Sequence, residues 1–465
     1  MRGRPASGSR RASGTPARRP APDRRAAPAA RATPSAVVAP LYHGGRPAVT
    51  VQLDGRDLGA NDAVALERAA RLAYDRRLPL VAVLAAPGPG LAEGAAVIDA
   101  WGKAASEWAK CSGIVPVVAL VVGPLLSGPA LLLGLADVVI MTQAAVTYVS
   151  GPAAVAEVTG VTVRPNELGG AQVHATRSGL ASLVAHDIDD ALMTAASLLD
   201  FLPAHADELP PLRPTEDPAA RPTPELRAVL PSSATGSYDV RRVIEVVADA
   251  EELLELRPDW APQLVTALAR IDGQPVGVVA NQPQAMAGTL DITASQKGAR
   301  FVAFCDSFNI PLLTVVDTPG FMPGRDLEWR GMIRHGAELV YAYAEATVPR
   351  VCLVLRKAYG GAYIVMDSKA MGNDFCLAWP SAEIAVMGAE GAVNVVHRRA
   401  SPEEKSKLAD EYRKQLLNPY VAAERGYVDM VIDPADTRQA VARCFSALAT
   451  KRERLVNKKH GNSPL

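Results

Sequence analysis

Two glycine-containing turns are the residues best suited to chemistry in this sequence. One turn runs from Arg356 to Tyr363 (RKAYGGAY) and the other from Ser127 to Ala130 (SGPA), and each follows an apolar strand-like run. Small residues at such a junction let a ligand approach the backbone closely. Free N–H groups at the start of the following helix can hold a developing oxyanion. A tight turn that needs glycine for packing alone is the other interpretation of the same residues.

No nucleophile or metal-binding motif accompanies these turns. HExxH, GxSxG and Walker A patterns are absent, and the seven histidines are scattered, which is typical of surface or capping positions. The five cysteines contain no CxxC pair. We therefore expect reduced thiols in a cytoplasmic protein and no metal in this chain. The turns remain as the candidate site.

Composition predicts a globular protein of several domains. The chain has 465 residues, of which 49% are hydrophobic and 21% charged, and its 49 basic residues equal its 49 acidic ones. This balance argues against a nucleic-acid partner. The apolar run from Val115 to Met141 contains three prolines. It predicts a buried strand, a glycine turn and a buried helix rather than a membrane span.

Two proline-rich regions mark the predicted domain boundaries. Residues 1–35 are rich in Arg, Ala and Pro, and we expect a disordered tail there. Residues 203–235 form a predicted linker between domains at 36–202 and 236–465.

The two halves of the sequence resemble each other. Leu78–Val83 (LPLVAV) matches Ile310–Val315 (IPLLTV), and Val115–Leu120 matches Val348–Leu353. The two glycine-containing turns match as well, and the separation is 232 or 233 residues in each pair. This constant separation indicates a duplicated domain.

Within each copy, short apolar strands alternate with helical segments, which predicts α/β units around a mostly parallel sheet. Strands are expected at Pro275–Ala280, Pro311–Asp317, Arg350–Arg356 and Ala382–Met387. Helices are expected at Ala294–Phe308, at Glu328–Ala346, from Gly361 towards Met371, and, as an exposed helix, at 401–417.

The stretch from Gly273 to Arg398 closely resembles the carboxyltransferase (beta) subunits of actinobacterial acetyl-CoA and propionyl-CoA carboxylases, which depend on biotin. The resemblance rests on several segments in the family's order, and it covers roughly the last 230 residues. These segments are KGARFV at Lys297, DTPGFMPG at Asp317, RHGA at Arg334, EATVP at Glu345, RKAYGGAY at Arg356, AWP at Ala378, NPYVAAERG at Asn418 and KHGNSPL at Lys459.

This resemblance implies an α/β fold of two tandem crotonase-like domains, in agreement with the duplication. It implies that the first domain binds acyl-CoA, that the second accommodates carboxybiotin, and that each site lies between neighbouring subunits of an oligomer, usually a hexamer. The carboxyl group would move from carboxybiotin to the α carbon of acetyl- or propionyl-CoA, giving malonyl- or methylmalonyl-CoA. Biotin would be carried by a partner subunit that also holds the biotin carboxylase, since the chain has no biotinylation signal.

The mechanism that the family uses needs no protein nucleophile, because orientation and two oxyanion holes suffice. The resemblance assigns the biotin-side hole to Gly361 and Ala362, with Gly360 adjacent, and the internal repeat assigns the thioester hole to Ser127 and Gly128. Further substrate contacts are expected from Gly151, Pro319, Gly320, Phe321 and Tyr363. Ile364 is either a residue of the acyl pocket or an ordinary core isoleucine.

The first half departs from the family pattern. The usual Asp and Arg of one motif are missing from Ala85–Gly94, and Pro129, which has no N–H, stands in the first turn. If the donors are Ser127 and Gly128, both amides survive. Two alternatives therefore stay open: a catalytically impaired paralogue that acts as an oligomer scaffold, and a biotin-dependent decarboxylase subunit.

Overall fold

Two sheets, one from each half of the sequence, form the framework of the protein. The computed structural model describes residues 36–41, 45–88, 90–233, 235–250, 253–453 and 455–464. The tail predicted at 1–35 lies outside the described residues. The α/β class expected from the sequence is confirmed, because both sheets are mostly parallel and each is accompanied by helices.

The first sheet has the strand order β1-β2-β3-β4-β5-β7, with β6 paired to the end of β4. Pairing of β1 with β2 is antiparallel, and the remaining pairs are parallel. The strands are β1 Val37–Pro40, β2 Pro47–Gln52, β3 Leu80–Ala86, β4 Val117–Leu126, β5 Val138–Thr142, β6 Val146–Tyr148 and β7 Leu183–Ala185. The helices are α1 Ala60–Arg76, α2 Ala95–Cys111, α3 Pro152–Thr159, α4 Pro165–Gly169, α5 Ala171–Val173 and α6 Ile188–Phe201.

The second sheet repeats this plan in the order β15-β13-β12-β11-β10-β9-β8, with β14 paired to the end of β12. Its strands are β8 Leu253–Glu255, β9 Leu264–Ile271, β10 Gln274–Asn281, β11 Leu312–Thr318, β12 Arg350–Tyr359, β13 Phe375–Ala378, β14 Glu383–Ala385 and β15 Met430–Val431. Its helices are α7 Arg241–Val247, α8 Ile292–Ser307, α9 Arg325–Trp329, α10 Met332–Glu345, α11 Gly360–Val365, α12 Ala389–Val396, α13 Pro402–Leu416, α14 Pro419–Glu424 and α15 Thr437–Ala447.

The two halves share a hydrophobic core. One buried cluster contains Leu120 and Ile140 of the first sheet together with Leu268 and Val354 of the second. Polar contacts reinforce this junction: the Arg300 guanidinium, for example, donates to the Ala136 carbonyl at 2.9 Å. Burial of so many apolar side chains between the sheets holds the halves together as one packed unit.

The proline-rich segment at 203–235 lies against the second half in its described part. The Asn309 side chain donates to the Ala206 carbonyl at 2.6 Å, and the Thr223 amide donates to the Ala435 carbonyl at 2.7 Å. The buried Arg438 guanidinium donates to the Pro218 carbonyl at 3.0 Å. These contacts hold the segment in place against the second half of the chain.

Most predicted elements are present, and three differ. The helix expected from Gly361 towards Met371 ends at Val365, and a separate 3₁₀ helix follows at Lys369–Met371. The helix expected over Glu328–Ala346 is two helices, α9 and α10, because Gly331 adopts φ +92° between them. The run from Val115 to Met141 ends in a second strand, β5, and the expected helix is a 3₁₀ helix over Gly128–Gly134. No helix of the described residues is long and apolar enough to cross a membrane.

Candidate active site

The second-half turn joins β12 to α11 at the carboxyl end of the sheet. Gly360 begins α11 with φ +57°, and a Cβ there would lie 3.0 Å from the carbonyl oxygen of Val386. Both the conformation and the space therefore require glycine. The first N–H groups of a helix have no intrahelical acceptor, and no side chain caps α11. The amides of Gly361 and Ala362 are consequently available to an oxyanion.

Phe321 covers this turn from the loop that follows β11. A Cβ at Gly361 would lie 3.5 Å from the Phe321 ring. The loop is held by the Leu290 amide, which donates to the Gly320 carbonyl at 3.2 Å, and by the Met322 amide, which donates to the Leu290 carbonyl at 2.8 Å. The structure therefore brings Phe321 and Gly361, two residues predicted from the sequence, into one site, and Pro319 leads into the same loop.

Tyr363 and Ile364 continue α11 in different environments. The Tyr363 hydroxyl lies 3.9 Å from the Sγ atom of Cys376 on β13, and burial raises the pKa of this phenol. Ile364 is 47% exposed, so its interpretation as a core isoleucine is wrong. Of the two, Ile364 is the residue that a ligand or a second subunit can reach.

The first-half turn joins β4 to the 3₁₀ helix at Gly128. The Ser127 amide donates to the Tyr148 carbonyl at 2.9 Å, so it is not free for an oxyanion. The Ser127 amide is therefore used within the fold, and the assignment of the thioester hole to this turn stays a prediction. Pro129 has no N–H, and the Ala130 amide donates to the Ser127 carbonyl at 3.0 Å. Within this turn, the amide of Gly128 remains as the available donor.

Ser127 is also conformationally unusual. Its φ of 65° and ψ of −142° lie in a region that is essentially reserved for glycine. The residue at the matching position of the second half is Gly360, which also has positive φ. The first half therefore keeps the backbone path of the turn but builds it with a residue that has a Cβ.

Two further residues line the first turn. The Trp101 ring of α2 lies 3.8 Å from where a Cβ of Gly128 would stand, as Phe321 lies against Gly361. Gly151 precedes α3, and its hypothetical Cβ lies 3.4 Å from the ring of Tyr148, the residue that accepts from Ser127. Gly151 thus belongs to the surroundings of the first turn.

A buried ion pair next to the second turn was not predicted as part of the site. Asp317 on β11 and Arg356 on β12 are 1% and 9% exposed, and Arg356 Nε donates to Asp317 Oδ2 at 3.0 Å. Burial raises the pKa of Asp317 despite this partner. The available signal was a charged residue that directly follows a run of apolar residues in each of the two strands.

Comparison with known proteins agrees with the fold. The propionyl-CoA carboxylase beta chain of Saccharopolyspora erythraea is 46% identical over 413 residues, which cover 85% of this chain and 76% of that protein. The methylmalonyl-CoA decarboxylase subunit alpha of Veillonella parvula is 41% identical over 414 residues, which cover 89% and 81%.

A solved structure of a transcarboxylase 12S hexamer, with methylmalonyl-coenzyme A and methylmalonic acid bound, superimposes with a TM-score of 0.88 at 44% identity. The match covers 90% of this chain and 83% of that one. The carboxyl transferase domain family matches residues 50–463, which include both turns, the whole second sheet and the first sheet from within β2 onwards. Because this match spans most of the sequence, the protein belongs to the carboxyl transferase domain family, as its resemblance implied.

Proposed function

We propose that the protein is the carboxyltransferase subunit of a biotin-dependent acyl-CoA carboxylase and that it carboxylates the α carbon of acetyl- or propionyl-CoA. The observation that carries this proposal is the pair of helix-start amides at Gly361 and Ala362, beside Phe321, in a chain of the carboxyl transferase family. Bound carboxybiotin, carried by a partner subunit, supplies the carboxyl group. The donor set fits such a group, because two amides can hold one ureido oxygen.

The chain itself contributes orientation and hydrogen bonds. The amides of Gly361 and Ala362 hold an oxygen on the biotin side, and the amide of Gly128 holds the thioester oxygen of the acyl-CoA as negative charge develops there. Donors aimed at a developing charge are worth about 10²–10³-fold in rate each. A thioester hole with one turn amide is therefore weaker than the hole of the second half.

We further propose that each site forms between two copies of the chain. Exposed apolar residues follow both turns along the chain, at corresponding places in the two halves: Leu131 and Ile364 are 52% and 47% exposed. Two further pairs of valines are also exposed, each residue by more than half: Val149 with Val386, and Val158 with Val395. Clusters of exposed apolar side chains mark interaction surfaces. Docking the first half of one copy onto the second half of another covers both clusters and joins the two turns, in a hexamer like that of the transcarboxylase 12S relative.

Mixing two inactive variants tests this arrangement. Gly128→Val fills the first turn, and Ala362→Pro removes an amide from the second. Each variant alone is expected to lose activity, whereas hexamers assembled from both regain about a quarter of it. When the two variants assemble at random, half of the pairs of neighbouring copies contain one of each variant. Each such mixed pair has two sites, and one of them combines two unaltered turns. No recovery in mixed hexamers would place the site within one chain.

The reaction itself is tested by combining the purified protein with a biotin-carrying partner subunit, ATP and bicarbonate, over acetyl-, propionyl- and butyryl-CoA. Activity that disappears without the partner supports the proposal. Because the Ser127–Pro129 turn retains one available amide, a catalytically impaired scaffold is the second candidate. A well-assembled oligomer with no activity on any acyl-CoA would favour it. Release of CO₂ from methylmalonyl-CoA as the main reaction would favour a decarboxylase subunit.

The acyl preference depends on Ile364 in this proposal. An apolar residue at the mouth of the site changes discrimination between acyl-CoAs by about 10–200-fold per methylene. Ile364→Asp should therefore alter the ratio of kcat/KM for acetyl- and propionyl-CoA, with the assembly state unchanged. The conservative variant Ile364→Val serves as its control.

A further inference from the structure

A bulge in β12 lies directly before the second turn. The β11–β12 register places Val316 opposite Val354 and Thr318 opposite Ala358, so one residue of β11, Asp317, faces three residues of β12. The middle and last of these three residues are Arg356 and Lys357. Such a bulge leaves ladder groups without their usual backbone partners.

The side chain of Asp317 takes over this pairing. Its Oδ1 atom accepts from the Lys357 amide at 3.1 Å, while Oδ2 accepts from Arg356 Nε at 3.0 Å. Arg356 is held in turn by the Gly236 carbonyl at 2.9 Å and by the Tyr238 ring, 5.4 Å from the guanidinium carbon. Asp317 thus joins the strand that leads to Phe321 to the strand that leads to Gly361.

The first half contains the same bulge without charges. Leu84 pairs with Val121 and Ala86 with Leu125, so Ala85 faces three residues of β4, the last two of which are Gly123 and Pro124. A Cβ on Gly123 would lie 3.3 Å from the Cβ of Ala85. Pro124 stands where Lys357 stands in the second half, and it has no N–H to satisfy. The bulge therefore forms without an ion pair.

We propose that Asp317 and Arg356 are positioning residues for the second oxyanion hole: their ion pair fixes the end of β12 and thereby the direction of the Gly361 and Ala362 amides. Burying an ion pair carries a desolvation penalty that makes it weak evidence for stability. The bulge of the first half, which has no charged residue, shows that this fold can form the bulge without burying an ion pair. In the second half the last residue of the bulge is Lys357, whose amide needs an acceptor four residues before Gly361, and the Asp317 carboxylate supplies it. This inference rests on the proposed function of those amides.

Three variants test the proposal in the full-length protein. Asp317→Asn removes the charge at constant shape, and the triple variant D317A/R356G/K357P copies the first half and removes the orphaned N–H. Asp249→Asn is the matched control, because Asp249 also accepts from two backbone amides and from a buried arginine, Arg438, at 2.6 Å, far along the chain from the turn. The readout is steady-state transfer of the carboxyl group from methylmalonyl-CoA to free biotin, with sedimentation to verify assembly.

We expect Asp317→Asn and the triple variant to assemble and to lose at least tenfold in kcat, with the KM for methylmalonyl-CoA within about twofold of the wild type, because the thioester oxygen is held by the other half. Asp249→Asn should keep its kcat. Wild-type kcat in either Asp317 variant, or an equal loss in Asp249→Asn, would overturn the proposal. So would failure of both Asp317 variants to assemble, which would assign the pair to folding. Inactivity of the wild type itself would instead count against the proposed function.

Discussion

The two halves of the protein follow the same backbone path but meet its requirements with different residues. Each half has a bulge in the strand that leads into its turn, a positive φ at Ser127 or Gly360, and an aromatic ring against the next glycine. In the second half, glycine adopts the positive φ and a carboxylate satisfies the bulge. In the first half, serine adopts the positive φ and proline removes the need for an acceptor. A duplicated domain can therefore preserve geometry while its supply of hydrogen-bond donors diverges.

The largest predicted effect comes from removing a backbone N–H donor from the second turn, so that it resembles the first. Ala362→Pro gives the second turn the residue that the first turn has at Pro129, and the first turn shows that proline fits there. The variant loses one of two amides, so we expect kcat to fall about 10²–10³-fold in an assembled protein. Steady-state transfer from methylmalonyl-CoA to free biotin measures it.

The reciprocal change, Pro129→Ala, restores an amide to the first turn. We expect kcat to rise by about 10²-fold, because a second donor then reaches the thioester oxygen. An unchanged rate would mean that the amide at this position does not face the substrate. In that case the difference between the turns would not limit catalysis.

A second difference between the halves gives a pH-dependent stability. Lys297 of α8 is 1% exposed, and its Nζ donates to the carbonyls of Arg257 and Trp260 at 2.8 and 2.9 Å. The matching position in α1 is Ala65. Burial lowers the pKa of Lys297 to about 7, below the value of about 10.4 for an unfolded lysine. As pH rises above 7, the folded protein has lost this proton while the unfolded chain retains it, so stability increases with pH up to about 10.

Chemical denaturation of wild type and Lys297→Met at pH 7 and pH 9 checks this expectation. The wild type should gain about 2 kcal/mol more than the variant between these pH values. Lys103→Met, at an exposed lysine of α2, is the control and should keep the wild-type slope. Equal slopes in wild type and Lys297→Met would show that Lys297 stays protonated through this range.

The repeat and most elements of the second half could be predicted from the sequence, because they depend on apolar periodicity and a constant separation. The observed register repeats that separation, down to the bulges opposite Ala85 and Asp317. The state of the Ser127 amide could not be predicted, because it depends on where the Tyr148 carbonyl lies. The ion pair of Asp317 and Arg356 could have been found by applying the repeat to charged residues in apolar strands. The roles given to the site residues remain predictions that the proposed variants test.

The smallest predicted effect concerns the strained serine. Ser127 has φ 65° and ψ −142°, a conformation that costs about 1–3 kcal/mol for a residue with a Cβ. Ser127→Gly relieves this cost, and the added freedom of the unfolded chain offsets about 0.5–1 kcal/mol of the gain. We therefore expect the variant to be more stable by about 1 kcal/mol, measured as the denaturant midpoint at one protein concentration.

The reverse substitution in the second half calibrates that result. Gly360→Ser introduces a Cβ at φ +57° and within 3.0 Å of the Val386 carbonyl oxygen, so it should destabilise the protein by more than Ser127→Gly stabilises it. If Ser127→Gly were instead neutral while Gly360→Ser destabilises, the first turn would have adapted its surroundings to serine. The two halves would then differ in their packing as well as in their donors.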